Sequence, residues 1–230
     1  MKLAIIGYGK LGKAVGAAWE EAGGIVTDTI TSANKWKASE LDCDVVLESS
    51  TPDSATGNIL ACINCGLPVV VGSTGWHKNL AQVEEAIEQI HGQLFHATNF
   101  SIGVHLLNAF SAHMASTLRS FENYKPAIVE SHHIHKLDKP SGTALTLSEK
   151  VSDASRISNI EINSIREGEI IGTHELVWDS EIDSISIKHE AKNRKGFALG
   201  AVQASKWIIE QKSKGRTGVF TMDDMIKELQ

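Results

Sequence analysis

The apolar residues of this chain keep two different rhythms, and the change falls near residue 103. Before it, short and mostly apolar runs recur at Lys2 to Ile6, Ile25 to Ile30, Asp44 to Glu48, Pro68 to Val71 and Gln93 to Ala97. Runs that do not alternate belong to strands covered on both faces, as in a parallel sheet. Between them, Val15, Ala18 and Trp19, and later Leu80, Val83, Ile87 and Ile90, keep the spacing of a helix stripe. Strands alternating with helices in this way predict an α/β fold with a doubly wound parallel sheet. After Gly103 a long helix from Val104 to about Leu118 leads to a strand-like Ala127-Ile128-Val129 and a helix from about Ser141. Three more strand-like runs follow with little helix between them: Ile160 to Arg166, Glu169 to Trp178 and Ser184 to His189. Ser184-Ile185-Ser186-Ile187 has the period of two that marks a sheet with one covered face. This second part therefore predicts a smaller α+β unit with a mostly antiparallel, open sheet. A helix over Ala198 to Ile209 comes next, and Thr221-Met222-Asp223-Asp224 has a capping pattern for a last short one.

Length and charge narrow the function. A chain of 230 residues holds one large domain or two modest ones. Its formal charge of -6 argues against nucleic acid or an acidic membrane surface as the main partner. The apolar run at the N-terminus is too short for a signal segment, and no stretch approaches a membrane span. Cys43, Cys62 and Cys65 are an odd number of cysteines, which predicts a reducing, cytoplasmic setting. Cys62-Ile63-Asn64-Cys65 has metal or redox spacing, but no second pair completes a zinc site, so it is read as filler at a helix end.

Two kinds of loop carry chemistry. The first strand runs into Gly7-Tyr8-Gly9-Lys10-Leu11-Gly12 and then a helix, the dinucleotide fingerprint in its required strand–turn–helix context. Gly7 makes the turn, Gly9 lets a pyrophosphate approach the backbone, and Gly12 permits close helix packing. The second strand ends Thr29-Ile30-Thr31-Ser32, with Asp28 too early to hold ribose hydroxyls and with Asn34, Lys35 and Lys37 nearby. That composition leans to NADPH, or to tolerance of NADPH and NADH alike. Gly72-Ser73-Thr74-Gly75 and Thr98-Asn99-Phe100-Ser101-Ile102-Gly103 end later strands, where ligands of such sheets lie.

The other loop is Glu130 to Thr143, Glu-Ser-His-His-Ile-His-Lys-Leu-Asp-Lys-Pro-Ser-Gly-Thr. Cationic side chains precede a turn and a helix N-terminus, where free N–H groups and the dipole favour an anion. Histidine there can move a proton. If the strand continued through it, His132 and Lys136 would stand about 13 Å apart. A second basic loop, Lys192-Asn193-Arg194-Lys195-Gly196-Phe197, precedes the later helix.

These motifs, in this order and over essentially the whole chain, resemble the 4-hydroxy-tetrahydrodipicolinate reductase (dihydrodipicolinate reductase) family. The closest likeness lies in His132-His133-Ile134-His135-Lys136 with Pro140-Ser141-Gly142-Thr143-Ala144. The resemblance implies a Rossmann-type domain over 1–101 and 195–230, and a substrate-binding and oligomerisation domain over 102–194. It implies His132 as proton donor and Lys136 as its catalytic partner. His133, Ser141, Gly142 and Thr143 would bind a small anionic dicarboxylate. Gly7 to Gly12, with Tyr8, Lys10 and Leu11 among them, would hold the pyrophosphate. Gly72, Ser73, Thr74, Gly75, Asn99, Phe100, Arg194 and Phe197 would line the nicotinamide end. A homotetramer is implied as well. Ser49, Thr98 and Ile134 depart from the family's frequent Phe, Pro and Arg.

Two other readings differ in class. A semialdehyde- or sugar-type dehydrogenase would need, in the first case, a nucleophilic cysteine at the nicotinamide, and none of the three stands beside a site loop. A non-catalytic protein is the other: a nucleotide-sensing module, or a metal-binding protein with His132, His133 and His135 as ligands, which is awkward for neighbours that point to opposite faces of a strand.

Overall fold

The structure, a computed structural model, describes residues 1–228. In chain order the elements are β1 (Lys2–Ile6), α1 (Lys10–Glu21), β2 (Ile25–Ile30), β3 (Val45–Glu48), α2 (Pro52–Asn64), β4 (Val69–Val71), α3 (Leu80–Ile90) and β5 (Gln93–His96). Then come α4 (Ile102–Leu118), β6 (Lys125–His132), α5 (Gly142–Ser155), β7 (Glu161–Arg166), β8 (Thr173–Asp179) and β9 (Ser184–Glu190). The chain ends with α6 (Lys195–Ser213), β10 (Gly218–Phe220) and α7 (Met222–Glu228). It divides into two compact units: residues 1–101 with 195 onward, and 102–194.

The first unit holds a six-stranded sheet in the order β10-β5-β4-β3-β1-β2, every pair parallel. Val45, Val46 and Leu47 of β3 and Val69 to Val71 of β4 are fully buried, as strands covered on both faces must be. Trp76, Ile59, Ile63 and Val83 fill the layer against α2 and α3. The edge strand β10 has three residues and no apolar run long enough to announce it. Thr51 stands at the N-cap of α2, Pro52 takes the first helical position and Asp53 lies in the first turn. Thr221 and Asp224 do pair at the start of α7, with the Thr221 N–H and hydroxyl both donating to Asp224 Oδ2.

The second unit holds four strands in the order β7-β6-β8-β9. β6–β8 and β8–β9 are antiparallel, whereas β7 joins β6 in parallel after the crossover helix α5. The sheet is therefore mixed. Its third strand begins at Thr173 rather than Glu169. Ile128, Leu176 and Trp178 on one face pack with Leu107, Ala115, Leu147 and Val151 of α4 and α5. That face turns polar toward the carboxyl end of β6, where Glu130 and His132 are buried.

Candidate active site

In the first unit the glycine loop is held by close approach. Gly7 has φ +92°, and a Cβ on it would meet the Ser49 and Ser50 backbone at 2.4 Å. A Cβ on Gly12 would stand 2.3 Å from the Gly7 carbonyl oxygen, so α1 packs on the turn only without a side chain there. Gly9 is different: nothing lies within 4 Å of its missing Cβ, and it is the N-cap of α1 with no side-chain cap. Open space beside uncapped N–H groups suits a pyrophosphate. A cavity of about 520 Å³ opens here, lined by Gly7, Tyr8, Gly9, Thr31, Ser32 and Asn34 among others, with no carboxylate in its wall. Asn34 Oδ1 accepts from the Thr31 N–H and hydroxyl, which orders the rim. Lys35 and Lys37 line a neighbouring cavity instead, and Lys37 is paired with Glu40 at 3.0 Å. The arrangement fits a dinucleotide.

Of the later loops, Gly72 brings two expected residues together. A Cβ there would press on Leu11 Cδ2 at 2.5 Å and touch Phe100 Cε2 at 3.4 Å. Gly200 of α6 lets the helix lie against the Phe100 carbonyl, only 1.7 Å from where its Cβ would stand. Ser73 is buried and Gly75 takes φ +79°, while Asn99 Oδ1 accepts from the Ser101 N–H. Ser73, Thr74 and Gly75 do not line the 520 Å³ cavity. Lys10 opens α1, Phe197 is half-buried in the first turn of α6, and Arg194 is exposed just before that helix. Burial pushes the Cys43 thiol up to about 11 and the Cys62 thiol up to about 12, so neither is a ready nucleophile.

In the second unit β6 ends at His132, and the next residues turn, the Lys136 N–H donating to the His133 carbonyl at 3.1 Å. The extended spacing set out above for His132 and Lys136 therefore does not hold. The turn brings the ammonium close enough to act on the imidazole charge. Arg166 pins the loop, donating to the carbonyls of Lys136 (3.3 Å) and Asp138 (2.5 Å). His133 is half-buried, and its ring lies 6.1 Å from that of the exposed His135. Ser141 is the N-cap of α5, its Oγ accepting from the Ala144 N–H, so Ser141, Gly142 and Thr143 stand at the helix start as expected. Lys136 Nζ pairs with Asp138 Oδ1 at 2.8 Å. That lysine first, with the Gly142 N–H further down, holds the Asp138 carboxyl below its usual range.

Behind the loop lies a buried polar layer. Glu130, two residues before His132 and so on the same strand face, is fully buried. Its Oε2 stands 2.6 Å from His132 Nδ1, and its Oε1 accepts from Arg166 Nη2 at 2.9 Å and from the Ser141 N–H at 3.3 Å. Burial alone would raise the Glu130 carboxyl. The nearby Ser164 hydroxyl, the hydrogen bonds from Arg166 and Ser141, and the His132 charge outweigh it and bring it down to about 2. His174 faces Glu130 across the β6–β8 ladder, with its Nε2 3.2 Å from Ser141 Oγ and its ring 5.1 Å from that of His132. Burial, with His132 beside it, brings His174 down to about 4. Burial is also the main cause lowering His132; Lys136 and Arg166 lower it further, and Glu130 works against them. Ligand atoms of Glu130, His132 and His174 lie within 4.8 Å of one another, a spacing a cation could bridge. The carboxylate, however, already serves Arg166, which with Lys136 makes the surroundings cationic. At neutral pH the site holds an uncharged imidazole, a fixed carboxylate and a helix start whose dipole favours an anion.

Glu130, Arg166 and His174 were not singled out from the sequence. Period-two spacing from His132 could have found Glu130, but nothing local points to the other two.

Two family models match, described as "Dihydrodipicolinate reductase, N-terminus" over residues 16–100 and "Dihydrodipicolinate reductase, C-terminus" over 103–226. A 4-hydroxy-tetrahydrodipicolinate reductase of Christiangramia forsetii is 34% identical, the match covering 100% of this chain and 99% of the relative. One of Halorhodospira halophila is 32% identical over 94% of this chain and 85% of its own. Among solved structures, a dipicolinate-bound dihydrodipicolinate reductase from Paenisporosarcina sp. TG-14 superposes with a TM-score of 0.76 at 21% identity, covering 96% of this chain and 97% of that one. With both family models laid end to end along it, and such relatives matching nearly all of it, the chain belongs to the dihydrodipicolinate reductase family.

Proposed function

We propose that the chain catalyses the NAD(P)H-dependent reduction of 4-hydroxy-tetrahydrodipicolinate, by way of dihydrodipicolinate, to tetrahydrodipicolinate, a step of diaminopimelate and lysine biosynthesis. Membership of the family carries the reaction class and the need for a nicotinamide cofactor. The observation that supports it in this chain is the neutral, buried His132 beside a helix start and a lysine, in the family's own motif. A dicarboxylate substrate agrees with those cations and with the dipicolinate bound by the Paenisporosarcina relative.

When bound, the reduced nicotinamide supplies hydride. The chain's residues do the rest. The first-unit glycines Gly7, Gly9 and Gly12, with Tyr8, Lys10 and Leu11, hold the dinucleotide, and Gly72 to Gly75, Asn99, Phe100, Arg194 and Phe197 serve its nicotinamide end. Gly142 and Thr143 N–H groups, Ser141, His133 and Lys136 hold the carboxylates, which must compete with Asp138 for the lysine. His132, charged when the dianion arrives, gives its proton to the ring carbon beside the reduced one. The hydroxyl and amide rim of Thr31, Ser32 and Asn34 accepts NADPH at least as well as NADH. The sheet face opposite the helices bears half-buried Ala127, Val129 and Val177, which suits a homotetramer joined through that sheet. The setting is the cytoplasm; among the described residues no helix is long and apolar enough to cross a membrane.

The test is spectrophotometric: oxidation of NADPH and of NADH, with substrate generated by the enzyme of the preceding step. Turnover with NADPH equal to or above that with NADH is expected, and no oxidation of either would sink the reading. His132→Ala and Lys136→Ala should each cost ~10²–10⁴ in kcat with cofactor affinity nearly unchanged.

A further inference from the structure

Glu130 is a carboxylate with no exposed surface, and a charge in that position persists only with partners. Arg166 supplies one. Its other donors go to the carbonyls of Lys136, Asp138 and Ile165, so the guanidinium serves a single oxygen of Glu130. The second oxygen stands 2.6 Å from His132 Nδ1, too close for two bare lone pairs to face each other. An ionised carboxylate can only accept, and a neutral imidazole carries its one proton on either nitrogen. The proton must therefore sit on Nδ1, and Nε2 is left bare. The backbone at residue 172 runs close to Nε2: a Cβ there would stand 3.1 Å from it, and glycine leaves that nitrogen uncrowded.

We propose that Glu130 is a positioning residue of the reduction. Its carboxylate fixes the Nδ1–H tautomer of His132 and so makes Nε2 the atom that takes up and delivers the proton. It also anchors the Ser141 end of the anion-binding helix. This rests on the reductase reading and names a residue that reading does not assign. In the step, the Nε2–H bond of the imidazolium breaks, its electron pair stays on nitrogen, and a C–H bond forms on the ring. The imidazole left behind keeps its Nδ1 proton on Glu130. The charged and titratable groups around His132 are Glu130 on its own strand, Lys136 on the loop, Arg166 on β7 and His174 on β8.

Two measurements test it. In the wild-type enzyme, ¹⁵N NMR at pH 8 should show His132 as the Nδ1–H tautomer, its signal identified by loss in His132→Ala. An Nε2–H tautomer overturns the proposal whether or not the protein proves to be a reductase. In Glu130→Gln, kcat should fall by at least ~10-fold, bounded by the ~10⁴ that a wrong tautomer costs in a serine protease triad. Cofactor KM should stay put. The alkaline limb of the kcat profile should move to lower pH, because the group that raises the proton affinity of His132 is gone. A variant that loses only thermal stability, with kcat and limb in place, makes Glu130 structural and overturns the proposal. Absence of turnover in the wild type would instead sink the reductase reading and leave the NMR test standing.

Discussion

Each unit of the molecule buries one glutamate completely, Glu48 at the end of β3 and Glu130 in β6, yet the two are held by opposite means. Glu48 Oε1 accepts from the Ser50 N–H at 3.1 Å, from the Ser50 hydroxyl, and from Asn58 Nδ2 at 3.3 Å, all neutral donors from nearby in the chain. Among the described residues neither glutamate's Oε2 makes a well-aligned hydrogen bond, but that of Glu130 stands 2.6 Å from His132 Nδ1. Glu130 is held by a guanidinium from β7, an imidazole two residues on, and a helix N–H. A carboxylate tied to its own loop by neutral donors braces a turn in the wall of the first unit's cavity. One set among a guanidinium and an imidazole from several elements is placed to fix a proton. Burial alone would not have told them apart; their partners do.

That distinction can be attacked at several points. Arg166→Ala strips the buried carboxylate of its cation and should destabilise the protein by about 3–5 kcal/mol, read from chemical denaturation. A loss near the ~0–1 kcal/mol of a surface pair would mean that Glu130 does not depend on its charge partners. Acid should next weaken the second unit. His174 has its proton affinity depressed by folding, so the stability of its neutral form is complete above about pH 6.5 and is lost as pH falls toward about 4. Glu130 adds a later loss, between its ordinary 4.5 and about 2. Thermal unfolding followed against pH should show a steeper first slope in wild type than in His174→Gln, which keeps the share of His132, His96 and His189, also lowered by folding. An unchanged slope in that variant assigns the loss to other groups. Glu48→Gln should do least, changing stability by about 1 kcal/mol or less, because neutral donors can still reach its amide oxygen. A cost matching that of Arg166→Ala would erase the contrast.

Most of the architecture could be read from the residues because it follows from local rhythm. Val69-Val70-Val71 and Ile25 to Ile30 carry their own strand signal, and Gly7 to Gly12 their own turn. What escaped depends on pairing between distant segments. β10 is three residues long and is a strand only because β5 gives it an edge. Nothing in Glu161 to Arg166 says that it runs parallel to β6, since the crossover through α5 decides that. The same holds at the site. The histidines, Lys136 and the helix start at Ser141 are neighbours in the chain and were legible there. Glu130 read as the leading edge of a charged loop, because its burial is created by Arg166 and His174, 36 and 44 residues further on. The bend after His132 stayed open in the sequence for a related reason: the carbonyls of residues 136 and 138 are drawn in by Arg166, a partner outside the loop.

One face of β6 presents Ile128, Glu130 and His132 in succession, the first in the apolar layer and the others in the polar one. Sliding that strand by a single residue would send the isoleucine to water and the imidazole to the back of the sheet together. Correct pairing of the second sheet and the placing of His132 beside Glu130 are thus one event in folding. A slipped population would be silent in an assay rather than slow. Specific activity per folded molecule should then come as all or none, which makes the assay a gauge of strand alignment.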